Sequence, residues 1–440
     1  MSISKRLSMI FCLVCCGVPA YAQEAPASGN QASRLQTLER KVEKLLQRLE
    51  QSEAEQLARD AQAEASGGEE ETRLEDRQFQ AGSLGLQKLN PEITLSGDFL
   101  VGVVIDESRF YAGEHDRSGF LLRGAGLHIQ HELDPYSNFK SAFHFSPHHG
   151  VGLEELYVNW HGAIPSMAFY VGRFRQQFGV VNRWHVHALD QTTHPLALTM
   201  VLGDEGLAGD GIGLRWLMPK LWAHANELTI EVVDGSNENL FSGEHFTIPS
   251  ALMHLKNYWD LSPSTYLELG LTGMFGFNNK RGLLTEDEKL LDEPWRNTVV
   301  AGANLTLYWS PTSQARYRSF TWRSEAYFAD KQQVNDSGGE CFRRAWGAYS
   351  YLQYQFAQRW YAGVRGDVGQ PVHRPDETLV WDVVPYLTFW QSEFVYLRLE
   401  YRHGRNIPFE DPSGNLAART DNRVMLQIDF AAGPHKHEKY

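Results

Sequence analysis

The sequence predicts an all-β protein: a transmembrane antiparallel β-barrel of about 16 strands, preceded by an N-terminal coiled-coil helix. Three observations predict it. Apolar and polar residues alternate at period two over most of the chain after Pro91, the pattern of strands with one apolar and one polar face. The alternating runs are near the length that a tilted strand needs to cross a bilayer. Short and long connections interleave between them, an asymmetry for which a soluble β-sandwich has no reason. Composition agrees. The 440 residues are 42% hydrophobic and 12% aromatic, with a formal net charge of -13. A mean hydropathy of -0.40 excludes a bundle of membrane helices, each of which needs about 18 uncharged apolar residues in a row. It does not exclude a barrel, whose alternation averages to a soluble-looking value. The acidic balance argues against a nucleic-acid partner, which calls for a basic face.

The elements follow in order. Lys5 and Arg6 precede an apolar run from Leu7 to Val18, and Ala20-Tyr21-Ala22 puts small residues where a signal peptidase reads. Residues 1–22 therefore read as a secretory signal peptide. Its loss removes Cys12, Cys15 and Cys16, leaves Cys341 as the one thiol, and moves the charge from -13 to -15. Such an exported chain has no disulfide framework and is held by hydrogen bonds and burial. Across residues 31–60, Leu35, Leu38, Val42, Leu45 and Leu49 alternate spacings of three and four, the stripe of a coiled-coil arm about three heptads long. A solvated single helix would share that composition. Residues 61–90 contain Gly67-Gly68 and three consecutive glutamates and read as a flexible linker.

The barrel is expected over residues 91–430. Its strands begin near Glu92, Gly119, Ser137, Gly152, Met167, Ala208, Trp222, Ser250, Thr265, Arg296, Tyr317, Ala345, Arg359, Glu377, Glu393 and Thr420. In the last of them Val424, Leu426, Ile428 and Phe430 oppose Arg423, Gln427 and Asp429. If the apolar parity faces lipid, the other lines the lumen, where charges of both signs imply water. The candidate pore residues on the wall are Arg323, Glu325, Arg365, Asp367, Arg398, Glu400 and Arg402. Charges that pair across the wall and close the lumen are the competing arrangement. The connection from Gln176 to Leu207 is long and apolar, with Phe178, Val180, Val181, Trp184 and Leu196 to Leu198. Folding it into the barrel would bury those residues, so it is the candidate constriction. Arg173, Arg175, Arg183 and Asp190 are its candidate charged residues, although the parity around Arg173 and Arg175 is ambiguous. Residues 431–440 form a His-containing tail.

The stretch Tyr170-Val171-Gly172-Arg173-Phe174-Arg175-Gln176-Gln177-Phe178-Gly179, with Gly209-Asp210-Gly211-Ile212-Gly213-Leu214 after the loop, resembles the phosphate-selective porins O and P. The resemblance implies a 16-stranded, trimeric outer-membrane channel with an N-terminal coiled coil in the periplasm. Locally the chain is also similar to porin-like proteins labelled zinc-regulated outer-membrane proteins, in His185-x-His187, in Gly209-Asp210-Gly211 leading to Trp216 and Pro219, and in Gly433-Pro434-His435-Lys436-His437. Phosphate specificity in that family rests on a ladder of arginines and lysines. The mixed lumen inferred here departs from it, so phosphate specificity is not carried over.

Zinc is the one candidate cofactor. His148, His149, His185, His187 and His194 fall in two neighbouring loops, with His435 and His437 in the tail, and imidazoles from two loops could hold Zn²⁺ with a carboxylate such as Asp190. Ordinary loop histidines account for the same pattern. No Gly-x-Ser-x-Gly or His-Glu-x-x-His motif is present, so no enzyme is expected. The expected function is that of an outer-membrane porin in a Gram-negative envelope, a homotrimer in lipid passing small hydrophilic solutes or ions. The alternatives are metal-linked uptake or binding through the loop histidines, and a non-conducting barrel that tethers the envelope.

Overall fold

The structure is a computed structural model that describes residues 91–105, 118–147, 150–204, 206–241, 248–278, 295–334, 339–372, 379–410 and 416–433. The signal peptide, the coiled-coil arm, the linker, and His148, His149, His435 and His437 lie outside the described residues.

Sixteen antiparallel strands follow one another around a closed barrel. They are β1 (Glu92–Ile105), β2 (Gly119–Asp134), β3 (Ser137–Ser146), β4 (Gly150–Ile164), β5 (Met167–Arg175), β6 (Ala208–Met218), β7 (Ala225–Val233) and β8 (Ser250–Ser262). There follow β9 (Thr265–Asn278), β10 (Arg296–Trp309), β11 (Ser319–Val334), β12 (Glu340–Ala357), β13 (Trp360–Gln370), β14 (Val380–Trp390), β15 (Val395–Glu410) and β16 (Leu416–Ala432). β1 closes on β16, from Leu95 opposite Ala432 to Ile105 opposite Asn422. No edge strand is left to template aggregation. The expected strand count is correct. The connections expected from Asp330 to Arg344 and from Arg405 to Arg419 are shorter than the sequence indicates, because β11, β12, β15 and β16 run on into them.

The distribution of side chains is inverted relative to a soluble barrel. Ile93, Leu95, Val171, Ile212, Met253, Leu271, Phe328, Leu352, Val364, Val383, Leu399 and Phe430 are exposed on the outward face. Thr94, Ser96, Asp98, Glu155, Glu231, Arg323, Arg365, Asp382, Glu400 and Asp429, of the other parity, are buried. Exposed aromatics gather toward both rims: Tyr136, Trp160, Trp222 and Tyr317 near the short turns, Phe120, Phe145, Trp295 and Phe342 near the longer connections. An apolar outward band between two aromatic belts is the surface that lipid covers in a barrel.

The largest apolar cluster lies inside. The segment 176–207 folds against the inward face, carrying two 3-10 turns (Val181–Arg183 and Val186–Ala188) and a short helix, α1 (Leu196–Leu202). Phe178, Trp184, Leu198, Val201, Leu202 and Leu207 pack there with Leu252, Met274, Val300, Tyr327 and Tyr349 of the wall. Each fully buried large apolar side chain contributes roughly 1.5–3 kcal/mol, which is the physical reason this loop does not stand in water. α1 rests on β12 at Gly347, where a Cβ would meet the Ala197 carbonyl oxygen at 2.6 Å.

Candidate functional site

The wall charges predicted to line the pore do point inward, but most are occupied in holding the loop. Glu325 on β11 accepts from the backbone N–H of Val181 at 3.0 Å and from the hydroxyls of Tyr327 (2.9 Å) and Tyr349 (2.6 Å). Gly179, at φ +63°, makes room for that carboxylate, since a Cβ there would meet Glu325 Oε2. Asp367 accepts from the first turn of α1, Ala197 N–H, at 3.0 Å, and Glu400 accepts from Thr192 N–H at 2.9 Å. Glu231 accepts from Gln177 N–H at 3.0 Å. The arginines serve the carbonyls. Arg365 donates to Thr193 O at 2.9 Å while its Nε pairs with Asp367 at 2.7 Å. Arg398 donates to Leu189 O at 2.8 Å, and Arg123, itself paired with Asp98, donates to Thr192 O. Donors and acceptors from β2, β7, β11, β13 and β15 thus converge on one segment. Hydrogen bonds to charged groups contribute about 1.5–3 kcal/mol each where burial is this complete.

These positions correct the expected pore lining. Glu325, Arg365, Asp367, Arg398 and Glu400 are buried against the loop rather than facing open lumen. Arg402 pairs with Asp382 at 2.6 Å and with Asp421 at 3.5 Å, so cross-wall pairing describes that region better than a charged waterway. Arg173 points out of the barrel. It lies opposite Leu156, on the outward face, and pairs at 3.1 Å with Asp210, the two side chains being 36% and 64% exposed. Arg175 is buried, with Nη2 3.8 Å from Glu154 Oε1.

His185 sits in a clamp that the sequence does not announce. The β3–β4 ladder shifts so that Ala142 faces Glu155 and Phe143 faces Leu153, leaving Glu154 as an extra residue. A bulge of this kind re-aims a side chain. Leu153 and Leu156 remain on the outward face, and both intervening carboxylates reach one imidazole. His185 Nδ1 lies 2.5 Å from Glu154 Oε2, and Nε2 lies 3.0 Å from Glu155 Oε2. Burial opposes the charged ring, yet the two glutamates prevail and hold the His185 pKa above its usual value. The sign follows: this clamp contributes fully below the ordinary His pKa of about 6.5 and is lost as pH rises through the raised value. Proteolysis inside 176–207 is therefore expected to increase with alkaline pH in the intact protein. His185→Gln should remove that pH step and start from the loosened state; an identical pH profile in the variant would place the titration elsewhere.

Of the other candidate ligands, His187 packs beside His185 and His194 is held apart by the loop backbone. His194 Nε2 contacts Trp184 O at 3.2 Å, and burial, helped by Arg175, lowers its pKa to about 3. The His187 ring lies 4.8 Å from that of His128 and 5.7 Å from that of His185. Among the described residues, no group of three or more His, Cys, Asp or Glu is arranged to hold a metal ion.

Below the loop, toward the short turns, is a cavity of about 640 Å³. Arg183, Trp184 and Asp190 present the loop to it, and Arg323 faces it from the wall. Tyr351 donates to Asp190 at 2.7 Å. Lys140, Arg215 and Lys256 bring its cations to five, against the carboxylates of Asp190, Glu227 and Glu268. The lining therefore carries an excess of two positive charges in a chain whose formal charge is -13. Sequence reasoning missed Lys140, Arg215, Lys256 and Arg123, although the inward parity of β2, β3, β6 and β8 points to them.

No family model matches the sequence. An uncharacterised protein of Aquifex aeolicus (strain VF5) is 26% identical over 343 residues, which cover 73% of this chain and 70% of that protein. The outer membrane channel DcaP of Acinetobacter baumannii superposes with a TM-score of 0.51 at 10% identity, over 78% of this chain and 96% of that one. The likeness to DcaP is one of fold: a porin-like barrel.

Proposed function

We propose that the protein is an outer-membrane porin, a diffusion channel for small hydrophilic or ionic solutes in a Gram-negative envelope, with the segment 176–207 as its constriction. The carrying observation is the inverted barrel. An apolar band faces outward, and the inward face holds ionic residues together with a loop hydrogen-bonded to strands around the wall. The channel likeness of the fold and the secretory signal read in residues 1–22 support the same reading, and the heptad stripe of residues 31–60 supports assembly as an oligomer. Selectivity in such a channel comes from the charges beside the narrowest passage. Those facing the cavity are Arg183, Asp190 and Arg323, so a modest preference for anions follows despite the acidic chain. Single-channel recording in planar bilayers under a salt gradient tests this: discrete openings with a reversal potential on the anion side are expected. A correctly folded barrel that stays silent would overturn the porin reading.

A further inference from the structure

The cavity beneath the loop contains two guanidinium groups of a particular kind. Arg183 and Arg323 are only 8% and 9% exposed, and both line the cavity. Neither has an ion-pair partner among the described residues. Arg183 Nη1 reaches the neutral Gln177 Oε1 at 3.4 Å and its side chain meets the neutral Tyr157 hydroxyl, while its Nε has no hydrogen-bond partner. Arg323 donates to Thr306 Oγ1 at 3.0 Å and to the Tyr351 hydroxyl at 2.8 Å, and its guanidinium lies 4.4 Å from the centre of the Trp184 ring. A buried guanidinium is costly unless paired. Two that face one cavity, one of them lying over the Trp184 indole, make a receptor for an anion.

The same cavity carries flat apolar surface. Tyr266 and Tyr308 line it with their rings stacked 5.3 Å apart, and Tyr157 and Tyr170 of β4 and β5 line it as well. Aromatic faces favour stacking with a second ring. Lys256 pairs with Glu268 at 3.3 Å, Arg215 lies 3.9 Å from Glu227, and Lys140 pairs with Glu155 at 3.3 Å, which leaves Arg183 and Arg323 against Asp190, a balance that matches a singly charged guest. Arg323 also has two of its donor nitrogens already engaged, which leaves few for a guest with more than two oxygens.

We propose that this cavity is a subsite for singly charged carboxylates borne on a flat ring. The carboxylate is held by Arg183 and Arg323, and the ring lies against Tyr308 and Tyr266. The inference rests on the channel reading and names a solute class for it.

Benzoate is the probe. The full chain refolded in detergent should bind it saturably, followed by titration calorimetry, with acetate and inorganic phosphate at least about tenfold weaker, the worth of one charge-assisted contact or one ring stack. Arg183→Gln, a loop change that leaves the wall intact, should weaken benzoate about tenfold. Tyr308→Ser should weaken benzoate and leave acetate unchanged. Equal binding of acetate or phosphate, or unaltered benzoate binding in Arg183→Gln, would overturn the proposal. Binding is read without conductance, so the two readings fail separately. A silent barrel that binds benzoate defeats the channel alone; a conducting barrel indifferent to benzoate defeats the subsite alone.

Discussion

Replacing Glu325 by Ala is expected to release the loop from the wall and, on the proposed channel function, to give larger and noisier openings. The carboxylate accepts from Val181 N–H, Tyr327 and Tyr349, with Val180 N–H at 3.3 Å. Truncation leaves those buried donors without a partner, at about 1–3 kcal/mol each, so the lost anchoring is on the order of 4 kcal/mol or more. The barrel ladder does not depend on this side chain, because β11 keeps its pairing with β10 and β12. The effect should therefore be local. Trypsin cleavage at Arg183, buried in the intact protein, should appear in Glu325→Ala while the barrel core stays resistant. Glu325→Gln keeps one acceptor oxygen and should fall between the two. Gly179→Ala should mimic the loss, since its Cβ would meet the Glu325 carboxylate and its φ of +63° disfavours a side chain. Wild-type conductance and a wild-type cleavage pattern in a folded Glu325→Ala barrel would mean that the loop is held by its apolar packing alone.

That prediction marks where the sequence stops being readable. The faces are legible because an apolar outward face and a polar inward face impose period two along the strands. A one-residue slip would carry Arg398 and Glu400 onto the outward face and Leu399 onto the inward one. Strand starts at Glu92, Gly119, Ser137, Met167, Ala208, Ser250, Thr265 and Arg296 agree for that reason. The inward fold of 176–207 was legible too, from Phe178, Trp184 and Leu198, which are too apolar for water. Parity, however, says which way a charge points and not what it meets. Arg365 and Asp367 are correctly placed inside, yet they meet Thr193 and Ala197 of the loop rather than water. Arg173 was misplaced because its outward position follows from the register with Leu156 and Asp210, and register is a property of strand pairs. The Glu154 bulge is a single extra residue in a ladder, so nothing in the chain flags that Glu154 and Glu155 converge on His185. Net charge says little about the cavity for a simpler reason: few of the acidic residues line it.

The second large effect concerns the outside of the barrel. Leu271, in the middle of β9 and 60% exposed, separates a soluble barrel from a membrane one. In water, replacing a solvent-exposed leucine by arginine changes stability by about 0.5 kcal/mol or less. In a bilayer the same change at mid-depth costs about 2–4 kcal/mol, and the penalty falls to about 0–1 kcal/mol near the interface. Leu217 supplies the second depth, because it is also exposed and lies one residue from the end of β6 at the short-turn rim. Leu271→Arg should therefore destabilise the protein refolded in lipid vesicles, read by denaturant unfolding, by several times as much as Leu217→Arg. A polar environment has no such gradient, and a strained barrel would respond to both positions alike. Small and equal effects at the two sites would mean that the apolar outward face is covered by something other than hydrocarbon. The outcome also bears on Glu325. Only if the hydrocarbon lies outside are the carboxylates within the barrel shielded enough for the loss of a single one to free a loop of this length.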